Sequence, residues 1–347
     1  MTGTKKITIK DVALASEVSI ATVSRVLNED PKVNAQIKQK VLETVEQLGY
    51  IPNVSARGLK LHTSGTIGFI TSDISNGYHV AMARAMEDVI KKEEYNLIVC
   101  STENKKEDEL NYLRLLLSKN VDALVINTSG FNDDYILKLN KQIPMVLLNR
   151  RLNTPGFQGD FVDCNNELGM FLLAKELIDL GHRDIFIIEG GRNLSNSKER
   201  FEGFYKAMLQ VGIDVKQDYP FRYEGDYSLE SGYHAMEYML LMEKRPTAII
   251  SCNNMMTIGA LLALKANRIN VPVDISIAGF NGIEHIELMT VRPLIADFDA
   301  YAIGQAAGKA ILERIKEKSI ENREFIFSPK LIPGNALGAP SKNLNLL

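Results

Sequence analysis

Arg, Asn, Asp and aromatic residues follow several apolar segments of this 347-residue sequence, at the point where each segment ends. Arg and Asn side chains make directional hydrogen bonds, a carboxylate accepts them, and an aromatic ring stacks on the apolar face of a pyranose. Taken singly, each residue is better explained as an ordinary turn or helix cap. As a group they predict a binding site for a polyhydroxyl compound, formed by Asp73, Tyr78, His79, Arg150, Arg200, Tyr227, Asn253 and Asn281.

The apolar segments alternate with amphipathic stretches from residue 65 onward. Their composition predicts strands at 66–71, 96–101, 122–127, 144–149, 184–190, 247–252, 274–280 and 293–298. Helices are predicted at 78–92, 105–119, 166–180, 198–211, 229–242 and 255–267. Strands that are apolar on both faces and separated by helices are typical of parallel sheets covered by helices. Ligands bind off the carboxyl ends of such strands, so we expect the candidate residues to meet at one cleft.

The number of these strand–helix units exceeds one ordinary sheet, which predicts two similar α/β lobes. We expect lobe one to comprise about 65–163 plus 294–328, and lobe two about 166–292 plus 329–340. Together they would form a ligand-binding and dimerisation domain over 65–340.

Residues 9–28 read as two short helices joined by a bend at 16–19. Ser19 is placed to cap the second helix, and Thr22 lies three positions on, where it faces the cap. The outer face of the second helix is small and polar with one Arg, which suits a helix that enters a major groove and contacts base edges. A helical hairpin without a ligand is the simpler alternative for this segment alone. The outward residues are Ile20, Ala21, Ser24, Arg25 and Asn28.

A third amphipathic helix is predicted at 34–48, with Ile37, Val41, Leu42, Val45 and Leu48 on its apolar face and Gly49 as its terminator. Residues 50–64 then have the composition of a very short helix interrupted by Gly58. Such a helix cannot hold itself together in water, so we expect it to order only when something packs on it. A plain linker is the alternative.

Four motifs, IKDVA, VSIATVSRVLN, VLETVEQLGYIPN and ARGLK, occur in this order within residues 9–60. In type and spacing they resemble the amino-terminal region of the LacI/GalR family of bacterial transcription regulators, and the resemblance continues over nearly the whole chain. It implies an all-α helix-turn-helix headpiece at 1–50, a hinge helix at 51–64, and a two-lobed domain like that of periplasmic sugar-binding proteins.

The resemblance also implies a function. The protein would be a sequence-specific repressor of a carbohydrate-utilisation operon, and a sugar-like effector would release it from, or lock it onto, an inverted-repeat operator. The hinge would order on DNA with Leu59 in the minor groove. Among the loop residues named first, those that lie in the family's effector motifs are Tyr78, Arg150, Arg200, Tyr227, Asn253 and Asn281. The residues matching the DNA-binding set are Thr8, Ser19, Ile20, Ala21, Thr22, Ser24, Arg25, Asn28, Asn53, Ala56 and Leu59.

Several residues depart from the family pattern. Gly77 stands where the family often has Pro, and His79 where it often has Phe. Asn281 and Gly282 replace a pair of acids, and an amide donates as well as accepts hydrogen bonds, so the usual effectors are not assumed. Glu17 occupies a bend position that usually holds Gly, which predicts a cost of about 1 kcal/mol if its backbone is left-handed.

The charge distribution is uneven. The whole chain has a net charge of −3, but residues 1–62 carry nine Lys and Arg against six Asp and Glu. A basic module on an acidic body suits contact with nucleic acid at one end only.

Cys100, Cys164 and Cys252 are far apart in sequence, so buried free thiols are expected. No apolar run approaches the length of a membrane span, and a cytoplasmic protein is expected.

Other classes of protein remain as alternatives. An enzyme would need a recognisable nucleophile, phosphate loop or metal motif, and none was found, so no metal or cofactor is predicted. A transport-type sugar-binding protein would have no use for residues 1–62. A relative that responds to a phosphorylated carrier protein stays open. The segment after Phe327 is too short and too rich in Pro and Gly for a heptad helix, so we expect a homodimer.

Overall fold

The structure is a computed structural model that describes residues 7–28, 30–50, 63–317 and 319–341. The chain forms two compact units, Met1–Ser64 and Gly65–Leu347. The predicted hinge residues Asn53, Ala56 and Leu59 lie outside the described residues.

The first unit contains three helices, α1 (Ile9–Ala15), α2 (Ile20–Leu27) and α3 (Ala35–Leu48). Each helix begins at a polar residue whose side chain satisfies backbone amides of the first turn. Thr8 and Asp11 form a capping box at α1, and Ser19 accepts a hydrogen bond from the Thr22 amide at α2. Gly49 ends α3 with a φ of 60°, as its sequence position predicted.

The core of this unit is small and made mainly of valine. Val12, Val23 and Val41 are completely buried, and Ala13 is small enough to allow the steep crossing of α1 and α2. The prediction for α3 was wrong at Ile37 and Leu42, which are 38% and 44% exposed. The short helices α1 and α2 cover only one side of the longer α3, so its other apolar residues face outward.

The second unit contains twelve strands and eight helices among its described residues. The strands are β1 (Thr66–Thr71), β2 (Asn96–Ser101), β3 (Ala123–Ile126), β4 (Met145–Leu148), β5 (Asp160–Cys164), β6 (Ile185–Glu189), β7 (Arg222–Glu224), β8 (Ala248–Ser251), β9 (Ser276–Phe280), β10 (Leu294–Asp297), β11 (Glu324–Phe327) and β12 (Lys330–Ile332). The helices are α4 (Gly77–Ile90), α5 (Lys106–Ser118), α6 (Asp133–Asn140), α7 (Asn166–Asp179), α8 (Ser195–Leu209), α9 (Leu229–Leu240), α10 (Asn254–Ala266) and α11 (Ala300–Lys316).

The strands form two six-stranded sheets. The first has the order β11-β5-β4-β3-β1-β2 and is parallel throughout. The second has the order β12-β10-β9-β8-β6-β7 and is parallel except for the edge strand β12, which runs antiparallel to β10. The predicted fold class, a helical module joined to a two-lobed domain of parallel sheets flanked by helices, is confirmed.

The chain passes between the two sheets three times, after β5, after β10 and after β11. The sequence prediction assigned all of 294–328 to lobe one, and this was wrong for its first strand. β10 pairs with β9 in the second sheet, where Leu294, Ile295 and Ala296 are buried. The chain therefore returns to lobe one only with α11, which packs against α4.

Gly304 sets the approach of these two helices. A Cβ atom at this position would lie 2.3 Å from the carbonyl oxygen of Met82 in α4, well inside van der Waals contact. The two backbones can touch here only because residue 304 has no side chain. No helix in the described part of the chain has the length and apolar character to cross a membrane.

Candidate functional site

Helix α2 presents the predicted polar face to the outside of the first unit. Ile20, Ala21, Arg25 and Asn28 are exposed, and Ser24 is half-buried. Val23 and Val26 on the opposite face hold α2 against the core. The N-terminal half of an exposed helix with short side chains can approach base edges closely, which is the geometry of a recognition helix.

The bend before α2 contains a left-handed residue. Glu17 has a φ of 54°, so its backbone is left-handed. A residue with a Cβ is strained there, which is why glycine is favoured at such bends. The Glu17 carboxylate contacts the Lys40 ammonium at 2.7 Å, and this pairing lowers the pKa of Glu17.

The carboxyl ends of both sheets border one cleft of ≈ 750 Å³ in the second unit. Each predicted side chain lies on a loop or helix start that follows a strand, so the cleft collects residues distant in sequence. All eight predicted effector residues line it: Asp73, Tyr78, His79, Arg150, Arg200, Tyr227, Asn253 and Asn281.

Arg150 is held at the cleft by lobe one, directly after β4. Its Nη1 donates to Asn104 Oδ1 at 2.7 Å and to the Thr128 carbonyl oxygen at 2.9 Å. The side chain is almost completely buried, and its Nε has no hydrogen-bond partner within the described chain. Burial, together with the positive charge of Arg200, lowers the pKa of Arg150 to about 10.

Arg200 is held by lobe two, in the second turn of α8. Its Nε donates to Asn166 Oδ1 at 2.8 Å, its Nη1 donates to the Cys252 carbonyl oxygen, and its guanidinium lies 3.9 Å from the centroid of the Phe280 ring. Burial opposes its charge, but neighbouring Tyr227 and other polar groups raise its pKa above the ordinary value. Arg200 is therefore a fixed cation.

Tyr227 lies between the cation of lobe one, Arg150, and the cation of lobe two, Arg200. The guanidinium carbons of Arg150 and Arg200 lie 5.5 and 5.7 Å from its ring centroid. Its backbone has a φ of 75°, and Asn253 Nδ2 donates to its carbonyl oxygen at 2.8 Å. The ring packs on Gly190, where a Cβ would lie 2.1 Å from Tyr227 Cζ. The ring is thus fixed at the cleft, ready to stack on a ligand.

His79 is a neutral side chain in this cleft. Its Nε2 lies 3.1 Å from Ser72 Oγ, and its Nδ1 is buried with no partner in the described chain. Burial and the charge of Arg150 lower the pKa of His79 to about 3. The adjacent Tyr78 is half-buried, and desolvation raises the pKa of its phenol well above the ordinary value.

Asn76 and Asn254 join the two lobes at the cleft. Asn76 Nδ2 donates to Asn254 Oδ1, and Asn254 Nδ2 donates to Asn76 Oδ1, both at 3.0 Å. Asn254 Nδ2 also donates to the Gly282 carbonyl oxygen at 3.1 Å. Both asparagines are buried, so this reciprocal amide pair connects the lobes away from solvent.

Sequence reasoning missed several cleft residues. Asn104 follows β2, Asn127 follows β3, and Asn196 lies in the first turn of α8, and all three line the cleft. Asn104 and Asn127 could have been predicted, because ligands bind off the carboxyl ends of parallel strands and both residues follow such strands. Asn196 Oδ1 accepts a hydrogen bond from Tyr227 Oη at 3.3 Å, a contact without a local sequence signal.

Within the described residues, no group of three or more His, Cys, Asp or Glu side chains has the arrangement of a metal site. Cys100, Cys164 and Cys252 are buried free thiols, as predicted. Burial raises the pKa of Cys252 to about 12, so this thiol stays protonated beside Arg200.

Two family models match this chain. The model for bacterial regulatory proteins of the lacI family matches residues 8–53, and the model for periplasmic binding proteins and the sugar binding domain of the LacI family matches residues 64–332. The chain belongs to the LacI family. The predicted resemblance is confirmed, and this LacI-family protein is a DNA-binding transcriptional repressor regulated by a small-molecule effector.

Individual relatives agree with this assignment. The HTH-type transcriptional repressor PurR of Aliivibrio salmonicida (strain LFI1238) is 34% identical over 327 residues, 94% of this chain and 97% of that protein. A LacI family transcriptional regulator from Enterococcus faecium with bound ribose has a TM-score of 0.71 and 26% identity, covering 80% of this chain and 100% of that one. The lac repressor dimer bound to operator and the anti-inducer ONPF shares the fold, with a TM-score of 0.78 and 24% identity over 96% of this chain and 100% of that one.

Proposed function

We propose that this protein represses a carbohydrate-utilisation operon by binding an inverted-repeat operator as a homodimer, and that a sugar-like effector in the cleft controls the binding. No catalytic step, metal or cofactor is part of the proposal. Residues 1–50 would contact DNA, 51–64 would form the hinge, and 65–340 would bind the effector and dimerise.

The proposed DNA contacts lie on the exposed face of α2. Arg25 is long enough to reach base edges, while Ser19, Thr22 and Ser24 have hydroxyl groups for phosphate or base contacts. Thr8, which precedes α1, is a further proposed contact, and its amide and hydroxyl both donate to Asp11 Oδ2 in the free protein. The remaining proposed contacts are Ile20, Ala21, Asn28, Asn53, Ala56 and Leu59.

The observation that carries the effector proposal is the set of buried polar atoms without partners. Within the described residues, four of them line this one cleft: His79 Nδ1, Asn127 Oδ1, Arg150 Nε and Asn281 Oδ1. A buried polar group without a partner is costly, so a ligand that pairs with it gains affinity. Arg150 Nε can only donate and the amide oxygens can only accept, so the ligand must offer both acceptors and donors. Hydroxyl groups do both.

Two related proteins have sugars bound: ribose in the LacI family transcriptional regulator from Enterococcus faecium, and cellobiose in the transcriptional regulator CelR, which shares the fold. Whether the effector releases the protein from DNA or strengthens DNA binding depends on which arrangement of the two lobes it binds more tightly. An effector that closes the lobes through both Arg150 and Arg200 would change the spacing of the two hinge segments in a dimer, and thereby the affinity for DNA.

The experiment starts by selecting operator sequences from random DNA with the full-length protein, followed by anisotropy titrations with and without candidate sugars. We expect an inverted repeat, and an effector that changes operator affinity. Tyr227→Ala should remove most effector affinity and leave effector-free operator affinity unchanged. Tyr238→Ala, a 47% exposed tyrosine outside the cleft, is the control. An effector response that survives in Tyr227→Ala would refute the proposed site.

A further inference from the structure

The cleft holds two buried cations without a carboxylate partner. Arg150 and Arg200 are 3% and 5% exposed, and the hydrogen-bond acceptors of both are amide or peptide oxygens. Among the described residues neither guanidinium forms an ion pair with an acid, in contrast to Arg314, which contacts the Asp160 carboxylate at 2.6 Å. A buried charge without a counter-charge costs several kcal/mol, so the cleft is prepared for a negative group.

The nearest buried acids supply only part of that counter-charge. Glu109 and Asp163 oppose the burial that lowers the pKa of Arg150, and Asp163 contributes to the raised pKa of Arg200, but within the described chain neither acid forms an ion pair with a guanidinium group. Burial and the charge of Glu199 raise the pKa of Asp163 to about 8, although Arg200 acts in the opposite direction, so the negative charge of this carboxyl is reduced at neutral pH. Glu109 of α5 is completely buried, and both of its oxygens accept hydrogen bonds, from the Ser129 amide, the Ser129 hydroxyl and Asn132 Nδ2, each at 2.7 Å. Glu109 is thereby committed to its own loop.

Four acids line the cleft itself, and none of them is buried: Asp73, Glu103, Asp226 and Glu230. The Glu103 carboxylate contacts the Lys105 ammonium at 2.7 Å. Asp73 Oδ1 accepts hydrogen bonds from the Ser75 amide and hydroxyl, both at 2.7 Å, and Asp226 Oδ1 accepts from the Ser228 amide at 2.9 Å. Both contacts close tight local turns. These carboxylates remain partly exposed, so water and salt screen them more than the buried guanidinium groups. The deep part of the cleft therefore keeps a positive potential.

We propose that the effector of this protein is an anion, a polyhydroxyl compound with a carboxylate or phosphate group that binds Arg150. The proposal rests on the proposed function, because it assigns a chemical class to the same site. Arg150 Nε is a buried donor without a hydrogen-bond partner in the described chain, so it can donate to an anionic group of the effector. Arg200 adds positive potential from the other lobe. An anion at this place would favour closure of the two lobes.

The test compares matched neutral and anionic compounds on the full-length protein by titration calorimetry. The pairs are D-glucitol with D-gluconate, and D-glucose with D-glucuronate and with D-glucose 6-phosphate, so that the carboxylate and phosphate sources are separated. A charge-assisted hydrogen bond predicts roughly 10–100-fold tighter binding of the anionic member. Arg150→Gln should lose this preference, while Lys92→Gln, a lysine at an exposed position outside the cleft, should keep it.

A second measurement tests anion binding in the cleft even if none of these compounds has a shape that the cleft accepts. Inorganic phosphate should raise the Tm of the wild type and of Lys92→Gln more than that of Arg150→Gln. Asn281→Asp, which places a carboxylate on the cleft wall without removing the Arg150 hydrogen bonds, should also reduce the phosphate effect. Equal phosphate shifts in all four proteins, when no compound of the panel binds, would overturn the proposal.

The outcomes separate this inference from the proposed function. A neutral member that binds as tightly as its anionic partner, loses binding in Tyr227→Ala and alters operator affinity would overturn the anionic class and leave the proposed function intact. An anion that binds through Arg150 without any effect on operator affinity would support the anionic site and contradict effector control by this cleft.

Discussion

Asn76 and Asn254 exchange two hydrogen bonds of 3.0 Å across the cleft, although they are 178 residues apart in sequence. Asn76 belongs to the lobe-one loop before α4, and Asn254 begins α10 in lobe two. Neither amide carries a charge, so the pair does not need a counter-ion and can separate at moderate cost. This pair is suited to hold the lobes together without locking them.

Asn254→Ala should shift the free protein toward separated lobes. It removes the reciprocal bonds and leaves the buried Asn76 Nδ2 without a partner, which predicts a loss of about 1–3 kcal/mol in the free energy of unfolding. Denaturant unfolding and small-angle scattering of the free protein measure stability and lobe separation. Asn267→Ala, at the exposed end of α10, is the matched control. An unchanged radius of gyration together with unchanged stability would contradict the role of the pair.

Arg25→Ala should weaken specific DNA binding. The side chain lies on the exposed face of α2, and a base-edge contact predicts a loss of roughly 1–3 kcal/mol on the selected operator with little change on random DNA. Anisotropy titrations on both DNAs at fixed salt measure the difference. A similar loss on both DNAs would identify Arg25 as a phosphate contact instead.

Gly304→Ala should loosen the packing of α11 on α4. The added Cβ would lie 2.3 Å from the Met82 carbonyl oxygen, and overpacking of this kind typically costs about 1–3 kcal/mol. Gly308→Ala, one turn along the same helix, is the milder comparison, because its Cβ would lie 3.2 Å from Val89 Cβ, a tight contact but not an overlap with backbone. Thermal unfolding of both variants should show the larger fall in Tm for Gly304→Ala. Equal Tm values would mean that the helices can separate without loss.

The sequence predicts the strands well where the residues of a strand are apolar. The predicted strands 66–71 and 96–101 match β1 and β2 at both ends. Strands β5, β11 and β12 were not predicted. β5 begins with the fully buried Asp160, which is paired with Arg314 and Arg323 at 2.6 and 2.7 Å. Acidic residues are rarely buried, so a sequence pattern assigns Asp160 to a loop unless its partners, which are distant in sequence, are known.

The same limit applies to the candidate site. All eight predicted residues line the cleft because they follow strands of parallel sheets, which is a property that sequence patterns reveal. Which polar atoms are left without a partner, such as Arg150 Nε, depends on contacts between segments far apart in the chain. The pairing of Asn76 with Asn254 is of the same kind, and no local pattern predicts it.

Asp163 gives a prediction for the dependence of stability on pH. It is the residue before the last in β5, the strand after which the chain passes to lobe two. It is 1% exposed, and burial and Glu199 raise its pKa to about 8. Its oxygens accept hydrogen bonds from the Cys164 amide and from Asn166 Nδ2. The charged and titratable groups around it are Glu199 and Arg200 from α8, Tyr78 from α4, Cys164, and Arg150 and Arg151 after β4.

The folded-state pKa of Asp163 lies above the unfolded value of about 3.9, so the folded protein holds this proton more tightly than the unfolded chain. The stability linked to this proton is complete below pH 4 and is lost as the pH rises through about 8. Asp163→Asn cannot ionise and should gain stability relative to the wild type across this range, by up to about 1.4 kcal/mol for each pH unit. Denaturant unfolding of both proteins at pH 5, 7 and 9 measures the difference.

In a Glu199→Gln background the pH dependence should weaken, because one of the two causes of the raised pKa is gone. A difference between Asp163→Asn and the wild type that stays constant from pH 5 to 9 would show that Asp163 titrates in the folded protein as it does in the unfolded chain.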